Sequence, residues 1–163
     1  PVSGKHSPLK HWKQFDELDA EETGDKKIIW ELNRHQHFFT LGIAYWLTED
    51  ETFAGTFMCH LDSWMEQNPP GMGVNWFSSL EVAFRSISWI WAFHFFKDSN
   101  SVTPEFFQKA LKFLYLHGRH IEKYLSTYYS PNTHLTGEAL GGDLADHGAA
   151  GLSRVRAVVE TAA

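Results

Sequence analysis

Apolar residues recur at three- and four-residue steps through most of the chain, the period of a helix with one buried stripe. Ile28, Leu32, Phe39, Ile43 and Trp46 predict a first long helix over roughly 27–47. Phe53, Phe57, Leu61 and Trp64 set a stripe on a second, over about 49–67, with Thr48 and Glu51 as a capping box at its start. Asn68-Pro69-Pro70-Gly71-Met72-Gly73 then breaks the chain. A third helix, about 76–97, is apolar on nearly every side, which suits burial in an inner layer. A polar loop follows at 98–101. Thr103 as cap and Pro104 at the first position start a fourth helix that runs to about residue 128. A fifth is expected from near Leu135. No stretch alternates with the period of a strand. Long helices joined by short loops pack as antiparallel neighbours, so the predicted fold class is all-α, built of helical hairpins.

Three regions differ in character. Residues 1–26 form a polar arm with an acidic run from Asp16 to Asp25, and Trp12, Phe15 and Leu18 could anchor it on a neighbouring surface. Residues 27–141 carry the helical pattern. In residues 142–163 the composition changes abruptly, and every Trp, Tyr and Phe lies before this tail. The tail reads as a truncated or frame-shifted product, or as foreign sequence.

Composition narrows the function. With 163 residues the chain is one domain or a piece of a larger protein. Hydrophobic residues at 43%, with 7 Trp and 13 Phe, exclude general disorder and imply an aromatic core or an aromatic-lined groove. A net charge of −6 leaves no basic surplus to neutralise phosphates, which argues against nucleic acid. The longest apolar run, Ile87 to Phe96, is about half of the ~20 residues that span a bilayer, so no membrane span is expected. Cys59, the single cysteine, excludes an intrachain disulfide and reads as a buried structural thiol.

Candidate chemistry is concentrated late. Ser130 to Gly141 places Asn132, Thr133, His134 and Glu138 where a loop turns into a helix. The unsatisfied N–H groups and positive dipole end of a helix start suit an anion. The competing reading is a capped helix start, with Thr133 or Thr136 as cap and Glu138 on the dipole. Trp30 and Arg34 share a helical face, either as an arginine stacked on tryptophan or as a sugar platform with a carboxylate clamp. Asn75 and Trp76 pair an amide with an aromatic, as saccharide clefts do. Glu81 and Arg85 are spaced as a helical ion pair, yet Arg85 lies in the most apolar helix and could await an anionic ligand. His35 and His37 point apart on one continuous helix and cannot share a metal. His117 and His120 share a face but lack a carboxylate or thiol beside them. No metal or cofactor is expected.

In this order and spacing, from about Trp12 to Gly141, Trp30-Glu31-Leu32-Asn33-Arg34, Asn68-Pro69-Pro70-Gly71, Asn75-Trp76, Arg85 and Asn132-Thr133-His134-Leu135-Thr136-Gly137-Glu138-Ala139 resemble the heparinase II/III-like family of polysaccharide lyases, which is similar to oligoalginate lyases. The resemblance implies an incomplete α/α toroid followed by a β-sandwich domain, and β-elimination on a uronic-acid-containing polysaccharide. It implies a bacterial periplasmic or secreted location and an acidic polysaccharide or oligosaccharide as partner. His134 would be the base or the carboxylate neutraliser. Asn132 would hydrogen-bond the carboxylate, or Thr133, which stands where many relatives have Asn. Glu138 would orient His134 or close the helix start. Trp30, Arg34, Asn75, Trp76 and Arg85 would line the cleft. The family's general acid is a tyrosine on a later helix, with no counterpart at a matching position here; Tyr128 and Tyr129 receive no role. With the altered tail, the expectation is a fragment with an incomplete active site. The alternative is a non-catalytic helical module that binds acidic sugars or a partner, with self-association through uncovered apolar surface.

Overall fold

His35 divides the first predicted helix in two. In the computed structural model, which describes residues 6–16, 21, 23–127 and 133–148, this residue takes a left-handed φ of 58°. Helix α1 (Lys26–Asn33) ends before it and α2 (His37–Thr48) starts after it. The strained backbone is held because the His35 ring is drawn into the core, where the Trp89 indole N–H donates to its Nδ1 at 2.8 Å. The elements that follow agree with the pattern in number and order: α3 (Glu51–Gln67), α4 (Ser79–Phe95), α5 (Pro104–Lys123) and α6 (Thr133–Asp143). A 3-10 turn, Val74–Trp76, precedes α4, and a π-helical turn, Leu144–Gly148, extends α6. The described residues contain no strand, only an isolated bridge between His11 and Met72.

Contacts between pairs of helices fix their directions. Phe39 meets Trp91 and Gly42 meets Phe95, so α2 runs parallel to α4. Gly137 meets Leu80, Gly141 meets Ala83 and Gly148 meets Ile90, so α6 also runs parallel to α4. Phe57 with Phe106, Asp62 with Lys109 and Trp64 with Phe113 make α3 and α5 parallel to each other. Consecutive long helices are antiparallel, as short loops require: Phe38 packs on Phe57, and Phe93 on Phe107. The result is one layer of α2, α4 and α6 against a second of α3 and α5. Its aromatic core centres on Phe57, Trp64, Trp89, Phe93 and Phe96. Burial of each ring contributes about 1.5–3 kcal/mol.

The two apolar stripes fare differently. On α3, Phe57, Leu61 and Trp64 are buried as predicted. On α1 and α2 the predicted stripe faces outward, with Ile28, Leu32, Ile43 and Trp46 exposed, while Phe38 and Tyr45 fill the core. Once His35 breaks the helix, the phase before the break no longer applies after it. Trp46 at 72% and Leu47 at 77% exposure, beside Trp91, leave an apolar outer face. Cys59 is exposed rather than buried, because it sits two residues from Phe57 and points away from the stripe.

The predicted capping box is also replaced. Asp50 caps α3 by accepting from the Thr52 amide at 2.9 Å, and Thr48 is the last residue of α2. Glu51 reaches instead to the loop before α5. Its carboxylate accepts from the Ser99 hydroxyl at 2.6 Å, the Ser101 hydroxyl at 2.7 Å and the amides of Asn100 and Ser101. These donors, the hydroxyls first, hold the carboxyl at about 2, below its ordinary 4.5. A depressed folded-state pKa stabilises the fold above the unfolded value, and this is lost as pH falls through the folded one. The melting temperature of the wild type is therefore expected to fall more steeply between pH 4.5 and 2 than that of Glu51→Gln, as read by thermal unfolding across that range.

The N-terminal arm docks on the Pro-Gly break. The Trp12 amide donates to Gly71 O and the Gly73 amide to Lys10 O. Trp12 sets its ring edge-on to Tyr124 and His120, and Phe15 is buried; Leu18 lies outside the described residues. At the other end, α6 crosses the change of composition without a break, and Ala145 is fully buried. Residues 149–163 lie outside the described residues. No described helix is long and apolar enough to cross a membrane.

Candidate functional site

The parallel layer of α2, α4 and α6 puts the N-terminal ends of α4 and α6 on one side of the molecule. The α1–α2 turn and the Val74–Trp76 turn lie at this end too. Arg34, the last residue before the turn, reaches over α4. Its Nε and Nη2 donate to the two oxygens of Glu81 at 2.7 and 2.8 Å, and its Nη1 to Glu31 at 2.6 Å. The hydrogen bonds that Arg34 donates to Glu81 raise its pKa above the ordinary value, against the opposing effect of burial. Two carboxylates thus occupy the guanidinium, and its flat face covers Phe84 rather than Trp30. Trp30 stacks on Phe77, and its indole N–H donates to Val74 O at 3.0 Å.

Glu81 therefore pairs with Arg34, not with Arg85 as helical spacing suggested. Arg85 is 1% exposed, with its guanidinium 4.4 Å from the Trp64 ring and 6.0 Å from that of Trp76. Its Nη2 donates to Asn75 O at 3.1 Å, while Nε makes no hydrogen bond among the described residues. Burial lowers the guanidinium to about 9, and the charge of Glu81 opposes the shift, so Arg85 is a cation at neutral pH. Around it stand imidazoles that burial, aided by this charge, keeps neutral. His35 and His117 lie well below the ordinary histidine value, and His120 is near 4.

Asn75 is fixed from two sides, because its Nδ2 donates to Asn68 Oδ1 at 2.8 Å while Arg85 holds its carbonyl. Its Oδ1 has no partner among the described residues. Asn33, His35, Trp64, Asn68 and Asn75 line a hollow of about 530 Å³ between the α1–α2 turn and the end of α3. Since Nδ1 of His35 accepts from Trp89, a neutral ring carries its proton on Nε2. Trp76 does not reach this hollow; it is buried in the core, with its indole N–H on Asn68 O.

At the α6 end, Thr133 and His134 are exposed in the first turn, and Asn132 lies outside the described residues. Glu138 is fully buried and turned away from solvent. It accepts from the Ser126 amide at 2.7 Å and the Ser126 hydroxyl at 2.6 Å, so it ties α6 to the chain leaving α5.

The structure thus brings Trp30, Asn75 and Arg85 together at the Val74–Trp76 turn, with Arg34 held by Glu81 on α4 and with Thr133 and His134 on the first turn of α6. Sequence reasoning missed His35, Asn68 and Glu81. His35 was read as part of a continuous helix, and Asn68 as the start of a break. Glu81 bonds across 47 residues, a partnership no local spacing reveals.

Such a site belongs to an all-α protein of layered helical hairpins that gathers amides, imidazoles and arginines at one end of the layers. The chain is a member of the heparinase II/III family: its residues 5–145 match the heparinase II/III N-terminus. No curated protein and no solved structure gives a match.

Proposed function

We propose that this chain supplies the carboxylate-binding and proton-abstracting part of a polysaccharide lyase of the toroid type, acting on a uronic-acid-containing chain. The family match over residues 5–145 carries the reading, because it spans the Asn132-Thr133-His134-Leu135-Thr136-Gly137-Glu138 motif. Its chemistry is β-elimination. The uronate carboxylate is neutralised by Asn132 or Thr133, beside the positive dipole end of α6, which makes the C5 proton acidic. His134 takes that proton. The C–H electron pair becomes the C4–C5 double bond, the bond from C4 to the glycosidic oxygen breaks, and an acid protonates the departing oxygen. Glu138 serves by holding the helix start in place through Ser126.

No residue of the motif fills the acid's role, so turnover by this chain alone is expected to be absent or slight. The assay follows the ultraviolet absorbance of the unsaturated uronate product on heparan-type, alginate-type and capsular polysaccharides. Robust turnover that vanishes in His134→Ala would overturn this division of labour. A second reading, a binding module without catalysis, draws on the exposed Trp46, Leu47 and Trp91 face, which suits association with a partner or a second copy.

A further inference from the structure

Two buried polar side chains in the wall of the hollow between the α1–α2 turn and the end of α3 keep an unused hydrogen-bonding atom. The left-handed backbone at His35 sets its ring inward, 5% exposed, with Nδ1 taken by the Trp89 indole. The proton of the neutral ring is therefore on Nε2, which makes no hydrogen bond among the described residues. Asn75 is 7% exposed. Its Nδ2 is held by Asn68 and its backbone carbonyl by Arg85, so only Oδ1 is left, and it has no partner among the described residues. Both residues line the hollow. A buried donor and a buried acceptor without partners destabilise the empty fold, and a ligand that completes them is favoured for the same reason.

The other walls say what that ligand is. Among the described residues no Asp, Glu, Lys or Arg lines the hollow, which is walled by amides, imidazoles, hydroxyls and Trp64. Charge lies behind them. Arg85 holds the Asn75 carbonyl and stands 4.4 Å from the Trp64 ring, so a buried cation backs two of the walls. Glu81, the carboxylate on the same helix, is taken by Arg34 through both oxygens. Such walls disfavour a cationic ligand and suit hydroxyl groups, which donate and accept at once. The volume of about 530 Å³ lies within the ~300–1,000 Å³ of small-molecule sites. We propose that the hollow is a hydroxyl-reading subsite for one sugar unit, in which His35 Nε2–H donates to a sugar hydroxyl and a hydroxyl donates to Asn75 Oδ1. The subsite rests on the reading of the ligand as a uronic-acid-containing chain and adds a second point of contact to it. Neither His134 nor Glu138 lines the hollow, so it holds a unit other than the one whose carboxylate meets α6. Arg85 stays behind the wall as a positioning residue, through the Asn75 carbonyl.

Cys59, the single thiol of the chain, is exposed on the rim and serves as a local reporter. The test titrates the 163-residue chain with heparan-type, alginate-type and capsular oligosaccharides. Binding is read by calorimetry, by the His35 Nε2–H resonance in NMR and by the rate of Cys59 alkylation with iodoacetamide. The oligosaccharide that binds most tightly is expected to shift the His35 resonance and to slow alkylation several-fold. Asn75→Ala should weaken it about tenfold. That change also removes the tie to Asn68. Ser63→Trp, which fills the mouth from an exposed position on α3, should therefore weaken it as much at an unchanged melting temperature. Thr56→Trp, at an exposed position of α3 outside the hollow, should not. Unchanged affinity in Ser63→Trp, or a sugar that binds and moves neither reporter, would overturn the subsite and leave the hollow to water. If His134→Ala still loses affinity in that case, the lyase reading stands without the hollow. If the hollow variants lose affinity and His134→Ala does not, the subsite stands and the role of His134 falls. Binding of none of the oligosaccharides overturns both.

Discussion

Gly141→Ala is expected to destabilise the protein by about 2 kcal/mol or more, whereas Gly142→Ala should be neutral or stabilising by up to ~1 kcal/mol. Both glycines lie in α6, and both substitutions gain the same helix propensity. They differ in what the added carbon meets. At Gly141 a Cβ would run into Ala83 Cβ and stand 2.7 Å from Ala83 Cα, which is backbone and cannot rotate away. Helix α6 must therefore move off α4, taking Ala145 and the Glu138–Ser126 tie with it. At Gly142 the nearest atom is Ile121 Cγ2 at 3.4 Å, an ordinary contact. Urea unfolding of the two variants beside the wild type reads the difference. Equal stabilisation of both would show that α4 and α6 do not approach as described, and the placement of the His134 turn would fall with it.

Much of the fold was legible because its causes are local. Thr103 accepts from the Phe106 amide and Pro104 opens α5, as the two residues announce. The stripe of Phe57, Leu61 and Trp64 faces the core, and the all-round apolar pattern of α4 places it between α2 and α6. What the sequence hid depends on distant partners. His35 bends the chain because Trp89, 54 residues away, holds its ring. That bend inverted the expected faces of α1 and α2 and left Trp46 and Leu47 outside. Glu51 looked like half of a capping box, but the loop at residues 99–101 offers it more donors than its own helix start.

The site divides the same way. The motif at Asn132 to Glu138 is contiguous in the sequence, and α6 starts at Thr133, two residues before the expected Leu135. The arginines could not be read locally. Helical spacing paired Arg85 with Glu81, while the fold gives Glu81 to Arg34 and buries Arg85 against Trp64.

His134→Ala carries the other large expected effect. His134 is exposed in the first turn of α6, so the variant should melt with the wild type. Its loss should instead weaken a uronate ligand, since a charge-assisted contact contributes about 1.5–3 kcal/mol, a factor of roughly ten or more. The most direct measurement is calorimetric titration of the chain with a uronic-acid oligosaccharide, beside a neutral oligosaccharide of the same length. The account predicts that the acidic sugar binds, that the neutral one binds far more weakly, and that His134→Ala loses at least about tenfold in affinity for the acidic sugar at unchanged melting temperature. Equal binding of the two sugars, or an acidic sugar held as tightly by His134→Ala as by the wild type, would contradict it.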